Sequence, residues 1–163
     1  MWNDARAYLR CGCYVEQEVN KTMAKHHLVI LKKPYLEAIL TGRKQIESRF
    51  TLTKRSYFGH VSAGDTLFLK ESSGPVCARA KIAAVKSFEN LTPKQIAGIK
   101  RRYNRDIGAD AKYWQGKANC RFGLLVWVKE VEPIKPVRIC KKDWRAWVVL
   151  TDKENFGLLK TNC

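Results

Sequence analysis

The sequence predicts an α+β fold, a mixed β-barrel with peripheral helices. Segments with the period-two alternation of strands outnumber the helical segments along the chain. Only two helices are convincing, and they are inserted between strands rather than alternating with each strand, which disfavours a doubly wound parallel sheet. The 163 residues are enough for one domain that buries its own core.

The first strand and the first helix are expected between residues 27 and 41. Residues 27–32 form an apolar run of strand length. Pro34 suits the first turn of a helix over residues 34–41, and Gly42 occupies the position of a left-handed C-terminal cap.

Directly after this helix, residues 42–49 (GRKQIESR) set a Lys, a Glu and an Arg at fixed spacing. Residues 44–51 alternate as a strand, so Glu47 and Arg49 share one face, and Lys44 leans toward them from the corner. A Glu and an Arg two residues apart on a strand are often only a solvated ion pair, contributing less than about 1 kcal/mol. The flanking strand and helix favour a functional site over that interpretation.

Three more strands and one helix follow. Strands are predicted over 66–70, 76–85 and 122–131 from their alternation. Between the last two, Thr92 and Gln95 form the ends of a capping box around Pro93 at the first helical position, which predicts a helix start. The connection after this helix is polar and contains glycine, and we expect no element there.

The C-terminal part of the chain is less clear. Pro133 and Pro136 should limit the preceding strand and make residues 137–140 an edge strand. The apolar spacing of residues 143–150 fits a short helix and a closing strand equally.

Residues 1–22 differ from the rest of the chain because their three basic and three acidic side chains cancel. They are either a disordered extension, a product of an upstream start codon, or a native helix packed on the barrel. We therefore divide the chain into an extension (1–22), a domain (23–150) and a C-terminal tail (151–163).

Charge predicts the kind of partner. The chain has 31 basic and 15 acidic residues, a net charge of +16 that lies entirely in residues 23–163. This favours nucleic acid over an anionic membrane, since no basic amphipathic helix with a clean apolar face is visible. No segment approaches the roughly 18 to 20 apolar residues of a membrane span, so we expect a cytoplasmic protein, with a monomer as the default.

The six cysteines are scattered, with no Cys-x-x-Cys pair and no histidine at ligand spacing. A zinc site is not expected, nor is any cofactor.

Basic residues interleave with aromatic residues in four runs, at 54–58, 101–105, 112–114 and 141–147. Such runs suit single-stranded nucleic acid, whose phosphates meet cations while its bases stack on rings. Most of the aromatic rings belong to the core, and we expect Trp114 to be the exposed exception. The candidate nucleic-acid-binding residues are Arg43, Lys44, Glu47, Arg49, Lys54, Arg55, Tyr57, Arg101, Arg102, Arg105 and Trp114.

The order strand, helix, Gly-x-Lys-x-x-Glu-x-Arg, strand resembles the ASCH domain (activating signal cointegrator homology), a small β-barrel with the PUA-like fold found in RNA-associated proteins. The resemblance covers residues 27–50, continues into 64–69 and is loose beyond Val85. It implies a PUA-like barrel whose cleft, lined by Lys44, Glu47 and Arg49, holds RNA or a nucleotide.

The same resemblance implies a competing function as a hydrolase. Some small ASCH proteins look like amidohydrolases of acylated cytidine, but Glu47 here replaces their nucleophilic Thr, and the expected helix carries no carboxylate between Glu89 and Asp106. A ribonuclease would use Lys44 on a phosphoryl oxygen, Glu47 as proton acceptor and Arg49 on the adjacent phosphate.

The histidines do not support the hydrolase. His26, His27 and His60 are expected on the solvated surface, where they offer no acid–base pair. We therefore predict recognition, in which Glu47 accepts hydrogen bonds from a base or a ribose hydroxyl and Arg49 holds a phosphate.

Overall fold

The computed structural model describes residues 23–160, and the predictions for residues 1–22 lie outside this range. The described residues hold six strands and three helices. In chain order they are β1 (His26–Leu31), α1 (Lys33–Leu40), β2 (Ile46–Thr51), β3 (Thr66–Glu71), β4 (Val76–Phe88), α2 (Pro93–Ile107), α3 (Ala111–Lys117), β5 (Phe122–Val137) and β6 (Trp147–Leu150).

The six strands form one mixed sheet in the order β2-β5-β4-β3-β1-β6. β1 and β3 pair in parallel, and the other neighbours pair antiparallel. The register between β4 and β5 shifts three times, and such bulges bend a sheet. The sheet is accordingly a curled half-barrel, which confirms the predicted α+β class and the barrel architecture.

The two larger apolar clusters pack on the sheet. One fills the curl with side chains of β1, β3, β4 and α1, such as Val29, Leu67 and Ile39. The other lies beneath α2 and α3 and includes Ile46, Ile96 and Trp114. β2 contributes to the second cluster with one face, so its opposite face is left to the charged residues Glu47 and Arg49.

Residues next to the helix ends correctly predict both ends of α1 and the start of α2. Gly42 follows α1 in the left-handed region, at φ 74°. At the start of α2, the Thr92 hydroxyl accepts from the Gln95 backbone N–H at 3.3 Å, and the Gln95 side chain accepts from the Thr92 backbone N–H at 2.9 Å. The predicted capping box is confirmed.

Three expectations for the second half of the chain need correction or completion. The polar connection contains α3, whose N-terminus is capped by Asp110. β5 continues through Pro133 and Pro136, because β2 pairs with β5 only as far as Trp127 and leaves the later residues on a free edge that tolerates proline. Residues 147–150 form a strand, β6, which pairs with β1.

Residues 151–160, which belong to the predicted C-terminal tail, pack against β1 and β6. Phe156, Leu158 and Leu159 contact a small cluster that includes Leu28 and Val148. None of the three helices in the described part of the chain is long and apolar enough to cross a membrane.

Candidate functional site

A cleft of about 970 Å³ opens beside β2, at the open side of the half-barrel. Its walls come from the end of β1, from β2, from the segment before Phe58, from α3 and from the loop that precedes β6. The polar and aromatic side chains that line it include Lys32, Tyr35, Glu47, Ser48, Arg49, Arg55, Tyr57, Asp110, Lys112, Tyr113, Lys117, Trp144, Arg145 and Trp147.

Arg49 bridges the open side of the half-barrel. Its Nη2 donates to the Ile30 backbone oxygen on β1 at 3.0 Å, and its guanidinium carbon lies 5.7 Å from the centre of the Trp147 ring on β6. Its Nε is 2.9 Å from Glu47 Oε1, but the N–H bond is not directed at that oxygen, and this buried nitrogen has no hydrogen-bond partner among residues 23–160. Arg49 is thus both a structural link and part of the cleft wall.

Glu47 lies between two cations and is only 5% exposed. Besides the Arg49 contact, its Oε2 is 3.5 Å from Lys44 Nζ, and that nitrogen donates to the Ile107 backbone oxygen at 2.8 Å. Burial lowers the pKa of Lys44, and the nearby Glu47 partly opposes this shift. The three motif side chains meet as predicted, but as a buried network and not as a solvated pair.

Lys44 lies behind Glu47 and not on the cleft wall. Its side chain is 4% exposed, and its ammonium group is engaged by Glu47 and Ile107. The Lys44 ammonium therefore contacts the Glu47 carboxylate and the Ile107 backbone oxygen and does not line the cleft.

Aromatic side chains form much of the cleft. Tyr57 and Trp147 pack with their ring centres 5.4 Å apart. Across from them, the Tyr113 hydroxyl lies 2.9 Å from Ser48 Oγ, and burial raises the Tyr113 pKa far above its ordinary value, so the phenol keeps its proton. The cleft wall therefore combines packed aromatic rings with hydroxyl groups.

The buried His27 ring packs against the Trp147 ring, with the ring centres 5.8 Å apart. The Trp147 indole N–H donates to His27 Nδ1 at 3.3 Å, so the neutral ring carries its proton on Nε2, which donates to Asp65 Oδ2 at 2.9 Å. Burial lowers the His27 pKa, with Asp65 acting in the opposite direction. The expectation that His27 is a solvated surface residue is wrong, because the alternation of β1 directs this ring inward.

The expectation that Trp114 is exposed is also wrong. Trp114 is 4% exposed, and the centres of the Trp114 and Phe50 rings are 5.6 Å apart. Its indole N–H donates to Asn104 Oδ1 at 2.8 Å. The polar stretch around it is the outer face of α3, and Trp114 is on the inner face. Its ring is not available to stack on a base.

The other predicted residues divide into two groups. Arg55 and Tyr57 line the cleft together with Glu47 and Arg49. Exposed residues outside the cleft lining are Arg43, Lys54, Arg101, Arg102 and Arg105; of these, Lys54 pairs with Glu89 and the Arg102 guanidinium lies 5.3 Å from the Tyr103 ring.

Several lining residues were not among the candidates, notably Lys112, Tyr113, Trp144, Arg145 and Trp147. All five belong to the basic and aromatic runs at 112–114 and 141–147, so the sequence carried a signal for them. Within residues 23–160, no group of three His, Cys, Asp or Glu side chains is arranged to hold a metal ion.

Comparison with known proteins agrees with this architecture. The ASCH domain from Zymomonas mobilis has a TM-score of 0.62 to this chain at 13% identity, over 80% of this chain and 90% of that one. Two single-residue variants of the same protein match with TM-scores of 0.61, at 13% and 15% identity, over 80% of this chain and 93% and 91% of theirs. No curated protein matches significantly. The family model of the ASCH domain matches residues 29–135, more than half of the sequence, and the chain therefore belongs to the ASCH domain family.

Proposed function

We propose that the cleft binds single-stranded RNA or a nucleotide. The observation that carries this proposal is the convergence of Glu47 and Arg49 with the partly exposed rings of Tyr35 and Tyr113 in one cleft. A carboxylate accepts hydrogen bonds from a base or a ribose hydroxyl, a guanidinium suits a phosphate, and aromatic faces suit unstacked bases.

The charge at the rim supports the same ligand. Lys32, Arg55 and Lys112 line the cleft and form no ion pair with another described residue. They add to the net charge of +16, and cations at this density attract phosphate backbones. The family supports the proposal too, because ASCH domains belong to the PUA-like superfamily, which is generally linked to RNA binding.

The contacts of Lys44 favour binding over hydrolysis. A ribonuclease mechanism would use the Lys44 ammonium on a phosphoryl oxygen, but this group donates to Ile107 and lies outside the cleft lining. Among the described residues that line the cleft there is no histidine to act as an acid–base partner for Glu47.

The first test is the salt dependence of RNA binding, measured by fluorescence anisotropy with labelled single-stranded oligonucleotides. If about six phosphates are neutralised, log K should fall with log salt at a slope of about −4. Arg55→Gln should make this slope shallower by about 0.7, because one phosphate contact is lost. Lys54→Gln removes the same charge from the neighbouring residue outside the cleft and should leave the slope unchanged. A flat salt response in the wild type would contradict the proposal.

The second test concerns Glu47. Glu47→Gln keeps the size of the side chain and one acceptor oxygen, so it should change the preference among bases more than the overall affinity. Thermal unfolding of the variant checks that the buried network survives. RNA cleavage by the wild type that disappears in Glu47→Gln would overturn the binding assignment in favour of a ribonuclease.

A further inference from the structure

The loop between β5 and β6 covers residues 138–146. Trp144 in this loop is fully exposed. Tryptophan is largely buried in most folded proteins, because its ring exposes a large apolar area to water. Trp144 nevertheless lines the cleft, at the rim opposite the buried floor formed by Glu47.

The loop is held in place on both sides of this ring. The Asp143 carboxylate accepts from Lys141 Nζ at 2.6 Å and from the Arg145 backbone N–H at 2.9 Å. The Arg145 side chain also pairs with Asp143 and with Glu154. After the loop, the Ala146 backbone oxygen accepts from the Ile30 backbone N–H of β1 at 2.9 Å. These contacts tie the backbone on either side of Trp144 and leave the ring directed outward.

The charges around the ring indicate what would cover it. Lys142 in the same loop and Lys112 on the cleft wall form no ion pair with another described residue, whereas Lys141 and Arg145 are paired with Asp143 and Glu154. An exposed aromatic face in a cleft that is also lined by cations without a described ion-pair partner matches a polyanion that presents flat apolar rings, which describes single-stranded RNA. A duplex hides the faces of its bases in the stack and does not match.

We propose that Trp144 is a stacking platform for a base next to the nucleotide held by Glu47 and Arg49. This inference rests on the proposed function and extends it, because it makes the ligand a single-stranded RNA of at least two nucleotides. In this arrangement Glu47, which is 5% exposed, contacts one nucleotide at the cleft floor, and Trp144, which is fully exposed, contacts the next one at the rim. Because the loop is already ordered, stacking on Trp144 requires little further ordering of the protein.

The test compares ligands of two lengths on three variants. Binding of single-stranded hexanucleotides and of nucleoside monophosphates is measured for the wild type, Trp144→Ala and Trp144→Phe. Trp144→Ala should weaken hexanucleotide binding by about 5- to 150-fold, the range found for loss of one base-stacking ring. Trp144→Phe should retain most of the affinity. Monophosphate binding should stay within about twofold in both variants, because a single nucleotide occupies only the floor.

Two controls make the result specific. Leu52→Ala truncates a side chain that is 65% exposed and lies outside the cleft lining, and it should change neither affinity. Thermal unfolding of Trp144→Ala should match the wild type, because an exposed side chain contributes little to stability.

Each outcome decides one of the proposals. If the wild type binds hexanucleotides and Trp144→Ala binds them equally well, the stacking platform is refuted while the RNA-binding function stands. If Trp144→Ala weakens monophosphates as much as hexanucleotides, the separate subsite is refuted. If the wild type binds neither ligand, the proposed function itself fails.

Discussion

Replacing Lys44 by methionine tests whether the motif lysine positions Glu47 or contacts the ligand. The variant keeps the apolar stem but, among residues 23–160, leaves the buried Glu47 with Arg49 as its remaining cationic partner, and it leaves the Ile107 oxygen without its donor. Breaking a buried ion pair by removing one partner costs about 3–5 kcal/mol. Because the Arg49 contact persists, we expect a loss of about 2–4 kcal/mol in the free energy of unfolding.

The assay is urea denaturation of the wild type, Lys44→Met and the double variant Lys44→Met/Glu47→Gln. With a urea dependence of about 2 kcal/mol per molar, the midpoint of Lys44→Met should fall by about 1–2 M. The double variant should recover part of this loss, because it buries no unbalanced carboxylate. Lys100→Met, which changes an exposed lysine of α2, should shift the unfolding free energy by less than about 0.5 kcal/mol.

RNA binding by the same variants separates the two roles of Lys44. Under conditions where Lys44→Met remains folded, its affinity should stay close to that of the wild type, because the ammonium group lies outside the cleft lining. An unchanged urea midpoint combined with lost RNA binding would refute the reasoning and would assign Lys44 to the ligand.

Two further predictions concern stability. Burial lowers the His27 pKa, so as the pH falls below about 6.5 the unfolded chain binds a proton at His27 and the folded chain does not. The free energy of unfolding should therefore decrease in that range. Urea denaturation at a series of pH values should show a weaker decrease in His27→Asn. Gly123→Ala should destabilise by about 1–3 kcal/mol in thermal unfolding, because a Cβ there would meet Phe50 at 2.8 Å and Leu91 at 3.1 Å. Gly98→Ala, with open space in α2, should instead be neutral or stabilising.

The sequence predicts those features that depend on neighbouring residues. The proline at the start of α1, the glycine after it and the capping box of α2 each act within one helical turn, and all three are present. The alternation of β2 likewise brings Glu47 and Arg49 together, because two residues on one strand share a face whatever the rest of the chain does.

Features that depend on tertiary contacts were not predictable in the same way. α3 has only seven residues, too few to establish a helical period. The sequence therefore predicts a polar loop there, with Trp114 exposed. The continuation of β5 through two prolines depends on where its neighbour β2 ends. The cleft itself unites β2 with Tyr113 and Trp147, and no local pattern states that these segments meet.

The geometry explains why the motif has its spacing and why the motif alone does not specify a ligand. Gly42 ends α1, and the Lys44 ammonium donates to the Ile107 backbone oxygen and pairs with the Glu47 carboxylate. These three residues therefore stabilise the junction between α1, β2 and α2. Arg49 then ties β2 to β1 across the open side of the half-barrel. A chain needs this set to build the cleft floor, whichever molecule the cleft takes. Glu47 also lines the cleft, so we expect selectivity to depend on Glu47 together with lining residues outside the motif, which belong to the segment before Phe58, to α3 and to the loop that carries Trp144.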